Sequence, residues 1–388
     1  MEIGIYIGTY TPAPGYGTGE GIYYFSIDES GYVKSPVRVV AKAEGSVVNP
    51  SYLIISEDQR YLYGVNEVNA GSVTRYEINE DCSLGTLNTE ITALSSPVFL
   101  LFDSSEEHLI VANYGDGSPN YTSGVTVFPT KSETDFPHFS QLIQYSSVTD
   151  PSHAHGLGVK TVQGKEYLFV TDLGSNTLYC YAINRFCEQP LTLYASAHGT
   201  NGQGPRHIAV SKDGKYLYVI NEFDPAYPKT SSISIFSFSP CAAMNNRLTY
   251  LKSVASEMSL YSGKGKCNCQ SKDLQSKDKL KNSAVQNYPA GVVIHQDNLY
   301  VSNRGDENIA HFKIINEGSD LKYVSEYHLA GYDWPREFAI TPNGKFLVAA
   351  YQHSNNVVIF KVELDGSLSE VKQDPIEIGS PVAIAFIT

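Results

Sequence analysis

The side chains best suited to chemistry in this 388-residue chain cluster in a few short segments between apolar stretches. They are Ser152-His153-Ala154-His155-Gly156, Gly204-Pro205-Arg206-His207, Asn221-Glu222, Asn303-Arg304 and Trp334-Pro335-Arg336-Glu337, with Asp172 closing a further apolar run. Arginine forks onto anions and can neutralise charge that develops during a reaction. Histidine and carboxylates can move protons, histidine with an unperturbed pKa near about 6.5. Three arginines facing one cavity of an acidic protein point to an anionic ligand. Whether these groups can act together depends on the elements that carry them.

Those elements repeat. Seven short apolar strands end on a polar or tyrosine residue: Ile5 to Tyr10, Tyr61 to Asn66, His108 to Asn113, Tyr167 to Asp172, Tyr216 to Asn221, Asn298 to Asn303 and Phe346 to Tyr351. Their last residues are spaced by 56, 47, 59, 49, 82 and 48. A period near about 50 with about four strands per unit is the signature of a β-propeller, whose blades cannot bury their faces alone. Four units begin with a proline before a short apolar run, at Pro50, Pro97, Pro205 and Pro335. Turns such as Ser211-Lys212-Asp213-Gly214-Lys215 and Thr341-Pro342-Asn343-Gly344-Lys345 then lead into the next strand, with glycine supplying positive φ.

The first unit lacks an inner strand, whereas the chain ends on a spare one, Pro381-Val382-Ala383-Ile384-Ala385-Phe386-Ile387. The expected fold is therefore all-β, a seven-bladed β-propeller closed by the C-terminal strand joining the first blade, which removes both open edges. It forms a single domain over 1–388, with a mobile surface insertion at 258–289 that is rich in lysine and poor in apolar residues. No window shows sustained helical periodicity.

A formal net charge of -13 without a long basic run argues against nucleic acid or an anionic membrane as partner. No stretch is long and apolar enough to span a bilayer, and the start of the chain lacks signal-peptide character, so a cytoplasmic location is expected. The six cysteines form no disulfide framework, and neither Cys267-Asn268-Cys269 nor the His153/His155 pair has the further ligands of a zinc site. No metal or cofactor is expected. Oligomeric state is not legible.

In each blade the start of the first strand and the end of the second lie at the same end of the ring, so polar residues there converge on one mouth of the channel. That rule selects His153, His155, Arg206, His207, Arg336 and Glu337 from first strands. From second strands it selects Asn66-Glu67, Asn113-Tyr114, Asp172, Asn221-Glu222, Asn303-Arg304 and Tyr351-Gln352. Asx turns account for Asn66, Asn113, Asn221 and Asn303, and turn formation accounts for Asp172 at least as well as ligand contact does. Hydrogen bonding to backbone explains His153 and His155 as readily as a place in the channel.

Across these residues the chain resembles the seven-bladed lactonase family that includes propeller-type 6-phosphogluconolactonases and the fungal carboxymuconate lactonising enzyme. The resemblance runs from Ile7-Gly8-Thr9-Tyr10-Thr11 through the Ser-His-x-His, Gly-Pro-Arg-His and Ser302-Asn303-Arg304-Gly305 segments to Pro335-Arg336-Glu337-Phe338. It implies hydrolysis of a small anionic sugar lactone, foremost 6-phosphoglucono-δ-lactone of the oxidative pentose phosphate pathway. The family's proposed catalytic set falls on His155, Arg206, Glu222 and Arg304. Glu222 or His155 is then the base that activates water, an arginine holds the oxyanion, and Arg336, His207, His153 and Asp172 contact substrate. The 258–289 insertion and the loop from Phe223 to Lys229 depart from the family pattern. A muconate-type cycloisomerase, a lactonase for another sugar lactone and a non-catalytic binding platform are the alternatives.

Overall fold

Apolar runs without polar alternation suit strands covered on both faces, and they become the second strand of every sheet. These strands are Ile3–Thr9, Tyr61–Asn66, His108–Asn113, Lys165–Asp172, Tyr216–Asn221, Asn298–Arg304 and Phe346–Tyr351. Ile3–Thr9, His108–Asn113, Asn298–Arg304 and Phe346–Tyr351 are buried along their whole length. Outer strands such as Val33–Lys42 alternate between half-buried and exposed positions, because only one face meets protein. The computed structural model describes residues 2–12, 17–45, 47–115, 122–130, 137–145, 151–200, 202–224, 231–256 and 287–388.

Seven antiparallel sheets form a β-propeller, each running from an inner strand outward. The inner strands of blades 1 to 7 are Pro381–Ile387, Leu53–Ile55, Pro97–Phe102, Ala154–Val162, Pro205–Val210, Tyr288–His295 and Pro335–Ile340. Blade 1 thus takes its inner strand from the far end of the chain: Gly4 faces Ile387, Tyr6 faces Ala385 and Thr9 faces Pro381. One apolar cluster fills each interface between neighbouring blades. Between blades 7 and 1, Phe346, Val348 and Ile359 pack on Ile3, Ile5 and Phe25, all 2 % exposed or less. Each such side chain contributes about 1.5–3 kcal/mol on burial, so packing holds this seam as it holds the other interfaces.

The hairpin turns use the expected chemistry. In blade 5 the Asp213 carboxylate accepts from the Ser211 hydroxyl at 2.8 Å, Ser211 Oγ accepts from the Tyr216 N–H at 2.9 Å, and Gly214 takes φ 72°. Blade 7 repeats this with Thr341, Asn343 and Gly344. Helix among the described residues is confined to two turns of three residues each.

The insertion expected at 258–289 falls mostly on 257–286, outside the described residues, but its end is corrected. Tyr288 and Pro289 already belong to the inner strand of blade 6, opposite Arg304 and Asn303. Pro289 occupies the place held by Pro97, Pro205 and Pro335, each paired with the last or next-to-last residue of its second strand. Proline suits the first residue of a strand, where its missing N–H costs no ladder bond.

Deleting 381–388 removes the inner strand of blade 1 and bares the edge of Ile3–Thr9. We expect a variant that elutes as aggregate and loses its cooperative thermal transition by circular dichroism; a monomer melting like the intact chain would refute closure as the source of stability.

Candidate active site

Strand pairing places the charged residues. Ala154 faces Asp172, Pro205 faces Asn221, Tyr288 faces Arg304 and Pro335 faces Tyr351, so first-strand starts and second-strand ends share one mouth of the ring. At that level the register slips in blades 3 to 7, between Pro97 and Phe99, Ala154 and Leu157, Pro205 and Ile208, Pro289 and Val292, and Pro335 and Glu337. A bulge breaks the alternation of side chains and re-aims them. Consequently Arg206 and His207, neighbours in sequence, border the same hollow, and so do Arg336 and Glu337.

Small residues let the bulged segments approach. Gly156 donates its N–H to Thr171 Oγ1 at 2.8 Å, and the same hydroxyl donates to the Arg206 carbonyl. A Cβ on Gly156 would overlap that carbonyl oxygen, so glycine is required for blade 4 to sit against Arg206. In blade 6 the Gly291 N–H is held likewise by Ser302 Oγ at 2.9 Å.

Two hollows lie in line along the channel. His155, Arg206, Arg336 and Glu67 border the one at the mouth. Below it a cavity of about 140 Å³ is bounded by apolar groups including Phe99, Val293 and Ile384. Tyr52, His207 and Glu337 border both and form the neck between them.

Each charged group has a distinct environment. Arg304 donates from Nε to the Tyr288 carbonyl at 2.9 Å and from Nη2 to Glu222 Oε1 at 2.5 Å. Burial alone would raise the Glu222 pKa, but Arg304 and then Arg206 outweigh it and hold the carboxyl below its usual range. Arg336 donates to the Tyr10 hydroxyl, which donates to Glu67 Oε2 at 2.8 Å. Arg206 is 3 % exposed; one Nη donates to the Ala290 carbonyl, while its Nε has no partner among the described residues. Burial, then repulsion from Arg304, lowers its pKa to about 9, still leaving it cationic at neutral pH.

His155 and His207 are driven toward the uncharged form. Burial and then the nearby Arg206 push His155 and His207 well below the ordinary histidine pKa. Their rings meet edge-on with centroids 5.1 Å apart, His207 lies 5.1 Å from Phe99 and His155 5.7 Å from Tyr114. His155 Nδ1 is buried without a partner among the described residues. Glu337 differs from the other carboxylates: Oε1 accepts from the Phe338 N–H at 3.0 Å, and Oε2 lies 3.8 Å from His207 Nδ1. Burial raises its pKa to about 7 against the opposing pull of Arg206.

His153 and Asp172 are used differently from these. Asp172 Oδ1 accepts from the N–H groups of His153 at 2.7 Å and Ser175 at 3.1 Å. The His153 ring stacks on Tyr114 with centroids 4.2 Å apart, and its Nδ1 pairs with the Tyr114 carbonyl at 2.9 Å. Asp172 thus holds the His153 backbone and His153 holds Tyr114, and neither borders the hollows. Asn66 and Asn221 also differ from simple turn formers, since their amides reach the hydroxyls of Ser72 and Thr74, and of Ser232 and Ser234, in the third strand.

Tyr10 and Tyr52 are site residues that sequence reasoning did not select, although Tyr10 closes the first of the seven apolar strands and Tyr52 opens the run led by Pro50. Trp334, the one tryptophan of the chain, has a left-handed backbone (φ 67°) that is an outlier for so bulky a residue. Its N–H is held by Glu307, its ring stacks on His353 with centroids 4.6 Å apart, and the Arg304 guanidinium lies 5.4 Å from that ring. Among the described residues no group of three or more His, Cys, Asp or Glu could hold a metal ion, and no helix is long and apolar enough to cross a membrane.

Comparison with known proteins agrees in extent. The family described as "Lactonase, 7-bladed beta-propeller" matches residues 4–386. A 6-phosphogluconolactonase of Bacillus subtilis is 25% identical, covering 98% of this chain and 97% of its own. One from Formosa agariphila is 28% identical and covers 97% of both. The crystal structure of a putative 6-phosphogluconolactonase from Bacteroides fragilis superposes with a TM-score of 0.76 at 26% identity, covering 100% of this chain and 98% of that one.

Removing one partner of a buried ion pair costs about 3–5 kcal/mol, so Glu222→Ala, which strands Arg304, should lower the denaturation midpoint accordingly. Glu337 behaves oppositely with pH. Its folded pKa lies above the unfolded 4.5, so the native state holds the extra proton and this group's contribution to stability falls as pH rises toward about 7. Glu337→Gln should therefore gain in Tm relative to wild type between about pH 5 and about pH 8. A constant difference across that range would contradict the burial of a titrating carboxyl.

Proposed function

The chain belongs to the seven-bladed β-propeller lactonase family and is a lactonase; on that premise we propose that it opens a phosphorylated sugar δ-lactone, 6-phosphoglucono-δ-lactone, by attack of water on the lactone carbonyl at the channel mouth. The observation that carries this reading is Arg206: a cationic side chain 3 % exposed, bordering the hollow, with an Nε that no group among the described residues satisfies. A buried donor without a partner is costly unless a ligand completes it. An oxyanion formed from the lactone carbonyl is such a ligand, and a donor already in place does not reorganise when the charge appears.

Arg336 and Arg304 supply further positive charge for the substrate phosphate or ring hydroxyls, and the uncharged His155 offers a ring nitrogen without a partner among the described residues. The phosphorylated substrate is favoured by this cationic wall and by the name that the Bacillus and Formosa relatives carry. With that substrate the protein serves the oxidative pentose phosphate pathway in the cytoplasm. A muconate-type tricarboxylate fits less well, because three carboxylates demand more cationic groups than the arginines Arg206, Arg304 and Arg336 supply.

The test is the loss of freshly generated 6-phosphogluconolactone, corrected for spontaneous hydrolysis and run beside unphosphorylated gluconolactone. Arg206→Ala should lower kcat by about 10²–10³-fold, the effect of losing one oxyanion donor. Arg336→Ala should raise KM for the phosphorylated lactone more than for the unphosphorylated one. A wild type no faster than the spontaneous reaction would overturn the substrate assignment.

A further inference from the structure

Of the three carboxylates bordering or facing the mouth, two are committed. Glu222 is tied to Arg304 at 2.5 Å and Glu67 to the Tyr10 hydroxyl at 2.8 Å. Glu337 has no arginine or lysine within ion-pair distance among the described residues: the ring it approaches is the uncharged His207, whose Nδ1 lies 3.8 Å from Oε2. It also stands at the neck, with the arginine-lined hollow on one side and the cavity of about 140 Å³ on the other. That cavity has room for several water molecules, with Glu337, His207 and Tyr52 as polar anchors.

We propose that Glu337, rather than Glu222 or His155, is the general base that takes the proton from the attacking water, and that the neck cavity beneath the mouth delivers this water. The assignment rests on the lactone-hydrolysis reading above. In the step, an O–H bond of water breaks and its proton goes to the free Oε2 of Glu337, while the water oxygen bonds to the lactone carbonyl carbon. The carbonyl π pair moves onto oxygen and is held at Arg206. Collapse of the tetrahedral intermediate breaks the ring C–O bond, and the ring oxygen leaves with the proton returned from Glu337, giving the open hydroxy acid and restoring the carboxylate.

The groups facing Glu337 are consistent with that role. Arg206 and Arg336 favour the carboxylate, burial favours the acid, and His207 and Tyr52 are uncharged neighbours. The balance leaves a carboxyl that titrates near about 7, where a base is most effective, whereas Glu222 lies below the usual range and is a weaker one.

The decisive measurement is the pH dependence of kcat for wild type and for Glu337→Gln, with folding of each checked by its thermal transition. The wild type should show an ascending limb near about pH 7; Glu337→Gln should lose about 10²–10⁴-fold in kcat and that limb, with KM little changed. In Glu337→Ala, added formate should restore part of the rate, which a merely structural residue would not allow. An active wild type beside a folded Glu337→Gln variant that keeps both rate and limb would overturn the base assignment alone. A wild type inert toward phosphorylated and unphosphorylated sugar lactones would overturn the hydrolysis reading, and the base with it.

Discussion

The antiparallel pairing of Ile3–Thr9 with Pro381–Ile387 is the contact on which the rest of the molecule depends. It joins the two ends of the chain into one sheet, so blade 1 gains the inner strand that its own segment lacks, and a row of hairpins becomes a ring with an axis. Only a ring has a channel, and only a channel can bring side chains from blades 2, 4, 5, 6 and 7 within reach of one another. The closing strand also borders both hollows, through Val382 at the mouth and Ile384 below it. Fold and site are therefore products of the same closure.

Local rules made the ring legible. The run His108–Asn113 and the run Phe346–Tyr351 are buried throughout and apolar between their ends because they are covered on both faces, and the prolines at 97, 205 and 335 mark where inner strands begin. The same rule should have been extended to Pro289; a polar, lysine-rich stretch before it hid the start of blade 6. The site was legible as a set of positions, since pairing such as Pro205 with Asn221 fixes which strand ends share a mouth. How side chains turn there was not. Simple alternation would send Arg206 and His207 to opposite faces, and a bulge is a three-dimensional compromise that no spacing announces. The use of Asp172 and His153 as a brace, and of Tyr10 as a link between Arg336 and Glu67, depends on contacts between segments distant in sequence.

Electrostatically the mouth is a set of unequal pairs. Burying three arginines in an acidic protein demands counter-charges, yet the structure answers with carboxylates at different distances: one in direct contact with Arg304, one reached through a phenol, and one left with a histidine. The result is a graded field in which the carboxyls are driven to different protonation states although their residue types are the same. Such separation of pKa values by environment is how one cavity holds both an acid-base group and fixed charge at neutral pH.

The line from Arg336 through Tyr10 to Glu67 runs from blade 7 across blade 1 to blade 2, and so crosses the seam where the chain's two ends meet. A molecule whose seam has come unzipped loses this relay, and with it the arrangement of charge at the mouth. The charge pattern of the mouth is therefore a property of the shut ring and of no single blade.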